Sequence, residues 1–203
     1  LIAQQANFIK HLLIYIDSTN SSYAVTRWSS PQLRELQQHA LSILSNVILY
    51  MKDDFESKKG IFCLTKFLSN VNDIERREKC LKAFCNASLF EEEYKLKITE
   101  EGVMDYLLDF LQGDEKENPI EIKELCFTIL ANLCQGCKKN KKLFREKHGI
   151  DIVISYLKDK NIATSNRYIL LGLSLLNCLW NAILGSRRSE ERFLNSQGLF
   201  DLL

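Results

Sequence analysis

One nine-residue pattern centred on asparagine occurs four times in this chain: LSILSNVIL, LKAFCNASL, FTILANLCQ and LNCLWNAIL, with Asn46, Asn86, Asn132 and Asn181 in register. Successive asparagines stand 40, 46 and 49 residues apart. At six, five, three and two residues before the asparagine and one after it, the four copies read Ala40, Leu41, Ile43, Leu44, Val47; Cys80, Leu81, Ala83, Phe84, Ala87; Cys126, Phe127, Ile129, Leu130, Leu133; and Leu175, Leu176, Cys178, Leu179, Ala182. All 20 positions are apolar, where a composition of 46% hydrophobic residues supplies about nine. Offsets −6, −3, −2 and +1 are the i, i+3, i+4, i+7 spacing of one helix face. A chain that repeats one amphipathic helix at this period buries that face against its own neighbouring copies, which selects a stacked helical array.

A second marker advances with the first. Gly60, Gly102, Gly149 and Gly198 are spaced by 42, 47 and 49 residues, and each opens a helical pattern: GIFCLTKFL, GVMDYLLDFL, GIDIVISYL and GLFDLL. Glycine's access to positive φ predicts a sharp turn there from a short preceding helix into the next one. Phe55, Phe144 and Phe193 stand five residues before their glycines, with Lys97 as the exception between Leu96 and Ile98. The opening NFIKHLLIYI fits the same pattern with Asn7 in the glycine position, since asparagine tolerates that backbone region. The unit is a short helix, a sharp turn, a middle helix, a loop and a long helix bearing Asn. The approximate units are 1–50, 51–90, 91–135, 136–185 and a truncated 186–203, and the chain reads as an excerpt from a longer protein. The first unit is interrupted over 17–31 by DSTNSSYAVTRWSSP, a surface loop in which Tyr23 and Trp28 could anchor a partner. Pro31 suits the first turn of the helix that follows, capped by Ser29 or Ser30.

Composition narrows the function classes. With 27 Lys+Arg against 26 Asp+Glu, no global field for nucleic acid exists, and a charged partner must meet a local patch. Only 2 Pro and 8 Gly occur among 203 residues, which favours long helices over a turn-rich sheet protein. Seven cysteines, an odd number lying mostly in apolar stretches, suit a reducing compartment. Tyr168–Leu184 runs 17 residues without charge, the short limit for a membrane span. Its repeat register and its Asn177 and Asn181 favour instead a helix enclosed on all sides by neighbours.

This three-helix unit resembles the armadillo repeat over nearly the whole chain, through the G-φ-x-x-φ and L-x-N-φ helices in order. The resemblance implies an all-α, right-handed α-solenoid of armadillo repeats with no enzymatic activity. In that family the asparagine commonly lines a concave groove and hydrogen-bonds the backbone of an extended peptide, which makes Asn46, Asn86, Asn132 and Asn181 candidate binding residues. An asparagine near a helix end can equally serve local backbone or a neighbouring repeat. Importin-type grooves carry Trp four residues before this Asn. Here those positions are Ser42, Lys82, Thr128 and Asn177, against a nuclear-localisation-signal ligand. Two stretches, TRWSSPQLRELQQHALSILSNV and LNCLWNAILGSRRSEERFLNSQGLFDLL, are similar to a ciliary armadillo family whose region lies within a longer, axoneme-attached chain. That similarity implies a cytoplasmic central-apparatus scaffold of cilia and flagella, with axonemal complex subunits as partners. The alternative is a soluble adaptor that binds a peptide reversibly in its groove.

Other candidates are weighed against simpler roles. Cys134 and Cys137 form a C-x-x-C that could hold zinc or cycle as a redox pair, but a structural zinc site needs four ligands and no second such pair exists. Helix packing for Cys134 and a turn for Cys137 explain both. His11, His39 and His148 are the only histidines, no Gly-rich phosphate loop is present, and the carboxylates cluster in the runs Glu91–Glu93 and Asp114–Glu117 typical of solvated segments. Neither a catalytic site nor a cofactor, metal or small-molecule substrate is expected. The basic stretch KKNKKLFREKHG places Lys138, Lys139, Lys141, Lys142 and Arg145 on one short helix, and Arg187 and Arg188 occupy the equivalent lead-in one repeat later. Such a ridge is a solvated face or a contact for an acidic partner, for which a tubulin surface would qualify.

Overall fold

The computed structural model describes residues 7–17, 23–113, 119–159, 161–162 and 165–196. Among these there are α-helices, turns and one 3-10 segment, and no strand. Asp114–Glu117 and Gly198 lie outside the described residues. The chain divides into two compact units, Leu1–Ala87 and Ser88–Leu203.

In the first unit α1 is Phe8–Ile16, α2 Tyr23–Thr26, α3 Ser30–Val47, α4 Lys52–Ser57, α5 Gly60–Asn70 and α6 Ile74–Ala87. The long helices α3 and α6 lie side by side and contribute Ala40, Leu41 and Leu44, and Cys80, Leu81, Ala83, Phe84 and Ala87, to the core. Helix α1 closes it with Ile9, Leu12, Leu13 and Ile16. Each fully buried Leu or Phe contributes roughly 1.5–3 kcal/mol, and this packing, more than helix propensity, holds short helices such as α4. Local chemistry sets the helix starts. Ser29 caps α3, its backbone N–H and its hydroxyl both donating to Gln32 Oε1 at 3.1 and 2.8 Å, with Pro31 in the first turn. Asp73 caps α6 by accepting the Arg76 N–H at 3.0 Å and pairs with Arg34 of α3. Within 17–31, the Arg27 guanidinium stacks 4.7 Å from the Trp28 ring centroid, Trp28 is half-buried and Tyr23 stands exposed.

In the second unit α7 is Glu92–Glu100, α8 Val103–Gln112, α9 Ile120–Cys134, α10 Lys138–Glu146 and α11 Gly149–Leu157. A 3-10 turn Asn166–Tyr168 then leads into α12 Ile169–Ile183, and α13 is Arg187–Asn195. Helix α9 is the centre of this unit, with Ile122, Cys126, Phe127, Ile129, Leu130, Ala131, Leu133 and Cys134 all buried. Phe127 meets Tyr156 of α11 edge-on at 5.1 Å, and the Tyr156 hydroxyl donates to the Leu111 carbonyl at 3.0 Å.

The α12 segment departs from expectation. It buries Leu171, Leu175, Cys178, Leu179 and Ala182 along one side, but Ile169, Leu170, Leu173, Leu176, Trp180 and Leu184 are exposed. It is therefore not enclosed on all sides. Among the described residues no helix is long and apolar enough to cross a membrane.

The sharp turns need a correction. The left-handed residues entering α5, α8 and α11 are Lys59 (φ 55°), Gly102 (φ 87°) and His148 (φ 60°), and Asn7 (φ 50°) plays this part before α1. Only at Gly102 does the glycine itself supply the positive φ. Gly60 and Gly149 are required for a different reason: a Cβ on Gly60 would overlap the Phe55 ring, and one on Gly149 would overlap the Phe144 ring. At the same step between α7 and α8, Ile98 replaces the phenylalanine and Val103 replaces the glycine. Phe55, Ile98 and Phe144 are all wholly buried and each lies four residues before the left-handed residue. Counting from the buried side chain removes Lys97 as an exception.

Candidate protein-binding surfaces

The asparagine column has internal work. In the first unit Asn86 Nδ2 donates to the Ser45 carbonyl of α3 at 2.6 Å, tying α6 to the preceding long helix. Asn46 is exposed. In the second unit Asn132 Nδ2 donates to Ser88 Oγ at 3.0 Å, across 44 residues of sequence. Asn181 Nδ2 instead turns back along its own helix to the Asn177 carbonyl and Oδ1, at 3.0 and 2.9 Å. One residue type at one register position thus makes two kinds of bond. Replacing Asn86 or Asn132 with alanine is expected to cost about 1 kcal/mol in chemical denaturation, the net worth of one intramolecular hydrogen bond. Asn181→Ala should stay within about 0.5 kcal/mol of the parent. Losses within about 0.5 kcal/mol at all three would mean that the bonds to Ser45 and Ser88 add no stability.

The basic stretch divides on folding. Lys138, Lys139 and Lys142 are exposed on α10 and Arg145 is half-exposed, while Arg187 and Arg188 are exposed on α13. Lys141 is different: it is buried, and its Nζ donates to the Leu184 carbonyl at the end of α12. It therefore contributes no exposed charge to the ridge. Lys95 of α7 repeats the arrangement, with Nζ donating to the Gln135 carbonyl at 2.9 Å just past α9, and burial holds its ammonium below the usual lysine range. Asn140 completes the joint by donating to the Leu133 carbonyl at 3.0 Å. These lysines satisfy carbonyls that a helix end leaves without intrahelical partners. The sequence did hold a mark for them: Lys52, Lys95 and Lys141 all stand three residues before the buried Phe55, Ile98 and Phe144.

Among the exposed basic groups, Lys142 lies 3.8 Å from Glu146 and Arg187 3.0 Å from Glu191, whereas Lys147 pairs with Asp105 of α8 at 2.8 Å. Arg192 binds Asp151 at 2.7 Å, and His148 Nδ1 is 3.2 Å from the same carboxylate. Arg145 of α10 and Arg188 of α13 line one shallow depression of about 370 Å³ together with His148, Arg192, Glu146 and Glu191. Folding therefore brings two ridge arginines 43 residues apart to one place. Lys138 and Lys139, and Arg187 and Arg188, also occupy the first turns of their helices, where the positive end of the helix dipole disfavours cations. Glu92 and Glu93 in the first turn of α7 follow the favourable rule.

The C-x-x-C pair sits inside the packing. Cys134 and Cys137 are buried, burial pushes the Cys134 thiol up to about 12, and it raises Cys137 as well. The thiolate is the metal ligand and nucleophile, so both groups are held in their unreactive form at neutral pH. Among the described residues no group of three His, Cys, Asp or Glu side chains is placed to hold a metal ion. His11 contacts its own N-cap carbonyl at Asn7, and exposed His39 lies 3.9 Å from Glu35.

Short helix, left-handed turn, middle helix and Asn-bearing long helix, joined by inter-repeat bonds from that Asn, define an armadillo-repeat protein. The same architecture appears in the solved structure of an armadillo-repeats-only protein from Plasmodium falciparum. That structure matches 98% of this chain and 85% of its own with a TM-score of 0.73 at 19% identity. The chain belongs to the family described as "Cilia- and flagella-associated protein 69, ARM repeat", whose model matches residues 72–203. It is 28% identical over 209 residues to cilia- and flagella-associated protein 69 of Mus musculus, and 27% identical over 206 residues to that of Homo sapiens. These alignments take in 88% and 87% of the chain and 22% of each relative, so the chain spans about a fifth of the length of the curated relatives it matches.

Proposed function

We propose that this array is a non-enzymatic, protein-binding segment of an axonemal scaffold in cilia or flagella, and that its basic ridge meets an acidic protein surface. The ciliary setting is supported by the family. The contact surface is supported by one observation: α10 and α13 both begin with exposed cations at the helix end where they cost stability. At Arg187 the pair with Glu191 offsets part of that cost, and a cation that breaks a local rule is a candidate for an external contact. Lys138, Lys139, Lys142, Arg145, Arg187 and Arg188 form this ridge, and an acidic partner such as a tubulin surface or a subunit of an axonemal complex has the matching charge.

The groove reading, in which Asn46, Asn86, Asn132 and Asn181 hold an extended peptide, remains as the adaptor alternative. It asks the ligand to use amide oxygens or to displace the bonds to Ser45, Ser88 and Asn177. The two differ in retention. The natural protein should stay with detergent-extracted axonemes, and Lys138→Glu, Lys139→Glu and Arg188→Glu together should reduce that retention while leaving helicity unchanged. Recovery of the parent protein only in the detergent-soluble fraction overturns the axonemal reading. Retention indifferent to the three substitutions overturns the ridge alone.

A further inference from the structure

In α3 and in α9 one column of residues, at positions −12, −8, −5 and −1 from the asparagine, lies toward the repeat that follows within the same unit. In α3 this column is Arg34, Gln38, Leu41 and Ser45. Arg34 pairs with Asp73, Gln38 Nε2 donates to Glu75 of α6 at 2.7 Å, Leu41 is wholly buried and the Ser45 carbonyl accepts from Asn86 of α6. In α9 the column is Ile120, Glu124, Phe127 and Ala131. Phe127 and Ala131 are wholly buried, Phe127 against Tyr156 of α11, with α12 running alongside. In α12 the same column is Ile169, Leu173, Leu176 and Trp180, and these are 51%, 58%, 50% and 59% exposed. Four large apolar side chains form one stripe on a helix whose opposite side is core. A patch of this kind marks an interaction surface.

We infer that this stripe is the docking face for a further repeat of the same type, carried by the natural protein outside residues 1–203. Register argues for that occupant: the column is the one that α6 covers in α3 and that the following repeat covers in α9. Length agrees, since the chain spans 22% of the curated relatives. The chemistry of the face fixes that of its cover. The α3 column is half polar and meets Asp73 and Glu75, whereas the α12 column has no polar atom except the Trp180 indole N–H. The covering helix therefore carries apolar residues at −6, −3 and +1 from its own asparagine, as α12, which packs along α9, does with buried Leu175, Cys178 and Ala182. Docking of such a repeat requires no axonemal partner.

Hydroxyl-radical footprinting of the 203-residue chain and of the purified natural protein tests this, read at Trp180 and Leu173 by peptide mass mapping. Modification at both residues is expected to fall several-fold in the natural protein at every protein concentration. A second readout is Leu173→Glu with Trp180→Glu, which should lower the melting temperature of the natural protein and leave that of the 203-residue chain unchanged. Equal modification in the two proteins overturns the inference. So does protection in the 203-residue chain that grows with concentration, because the occupant is then a second copy. Protection of the natural protein that disappears when high salt strips its partners overturns it as well, because the cover is then foreign.

Discussion

Replacing Gly149 with valine is expected to destabilise the second unit by about 1–3 kcal/mol, the usual cost of forcing methylenes into a filled core. The Phe144 ring occupies the space a side chain at 149 would need, and Phe144 is wholly buried. Phe144→Ile alone should cost about 1–2 kcal/mol for the cavity it leaves. Together the two should cost much less than their sum, because isoleucine vacates what valine fills. The chain already contains that combination at Ile98 and Val103, one repeat earlier. Urea denaturation of the two single variants and the double variant closes a double-mutant cycle, for which residues in direct contact show interaction energies of about 0.5–3 kcal/mol. Additive losses would show that the ring and the glycine are not coupled, and that Gly149 is kept for another reason.

The second large effect is expected at the buried lysines. Lys141→Met keeps most of the aliphatic stem but removes the donor to the Leu184 carbonyl, and Lys95→Met does the same at Gln135. Each should cost about 1–3 kcal/mol, the desolvation penalty of a carbonyl left without its partner. Lys139→Met, on the exposed side of α10, serves as the control and should stay within about 0.5 kcal/mol. If Lys141→Met behaves like Lys139→Met in the same denaturation series, water replaces the ammonium at no cost and the lysine does not clamp the helix end.

These lysines also show where the sequence stops being legible. Lys138, Lys139, Lys141 and Lys142 read as one basic run, and nothing in their identity separates the third from the others. Its separation comes from the helix period, which turns position 141 to the same side as buried Phe144. The asparagine column behaves alike. Four equivalent residues are visible in the sequence, yet Asn86 and Asn132 reach across to earlier segments while Asn181 folds back on Asn177. The glycine turns were legible as turns, but the left-handed residue at two of them is Lys59 or His148, because the space beside Phe55 and Phe144 and not the φ angle excludes a side chain at 60 and 149.

By itself the sequence determined the repeat, its three-helix order and most of the buried face. These follow from local periodicity, which fixes which side chains share a side of a helix. Tertiary structure decided what lies against that side. Leu176 and Phe127 occupy the same column and are equally apolar, but Phe127 is wholly buried and Leu176 half exposed. Burial is a property of the neighbour as much as of the residue, because a side chain leaves water only when another surface takes its place.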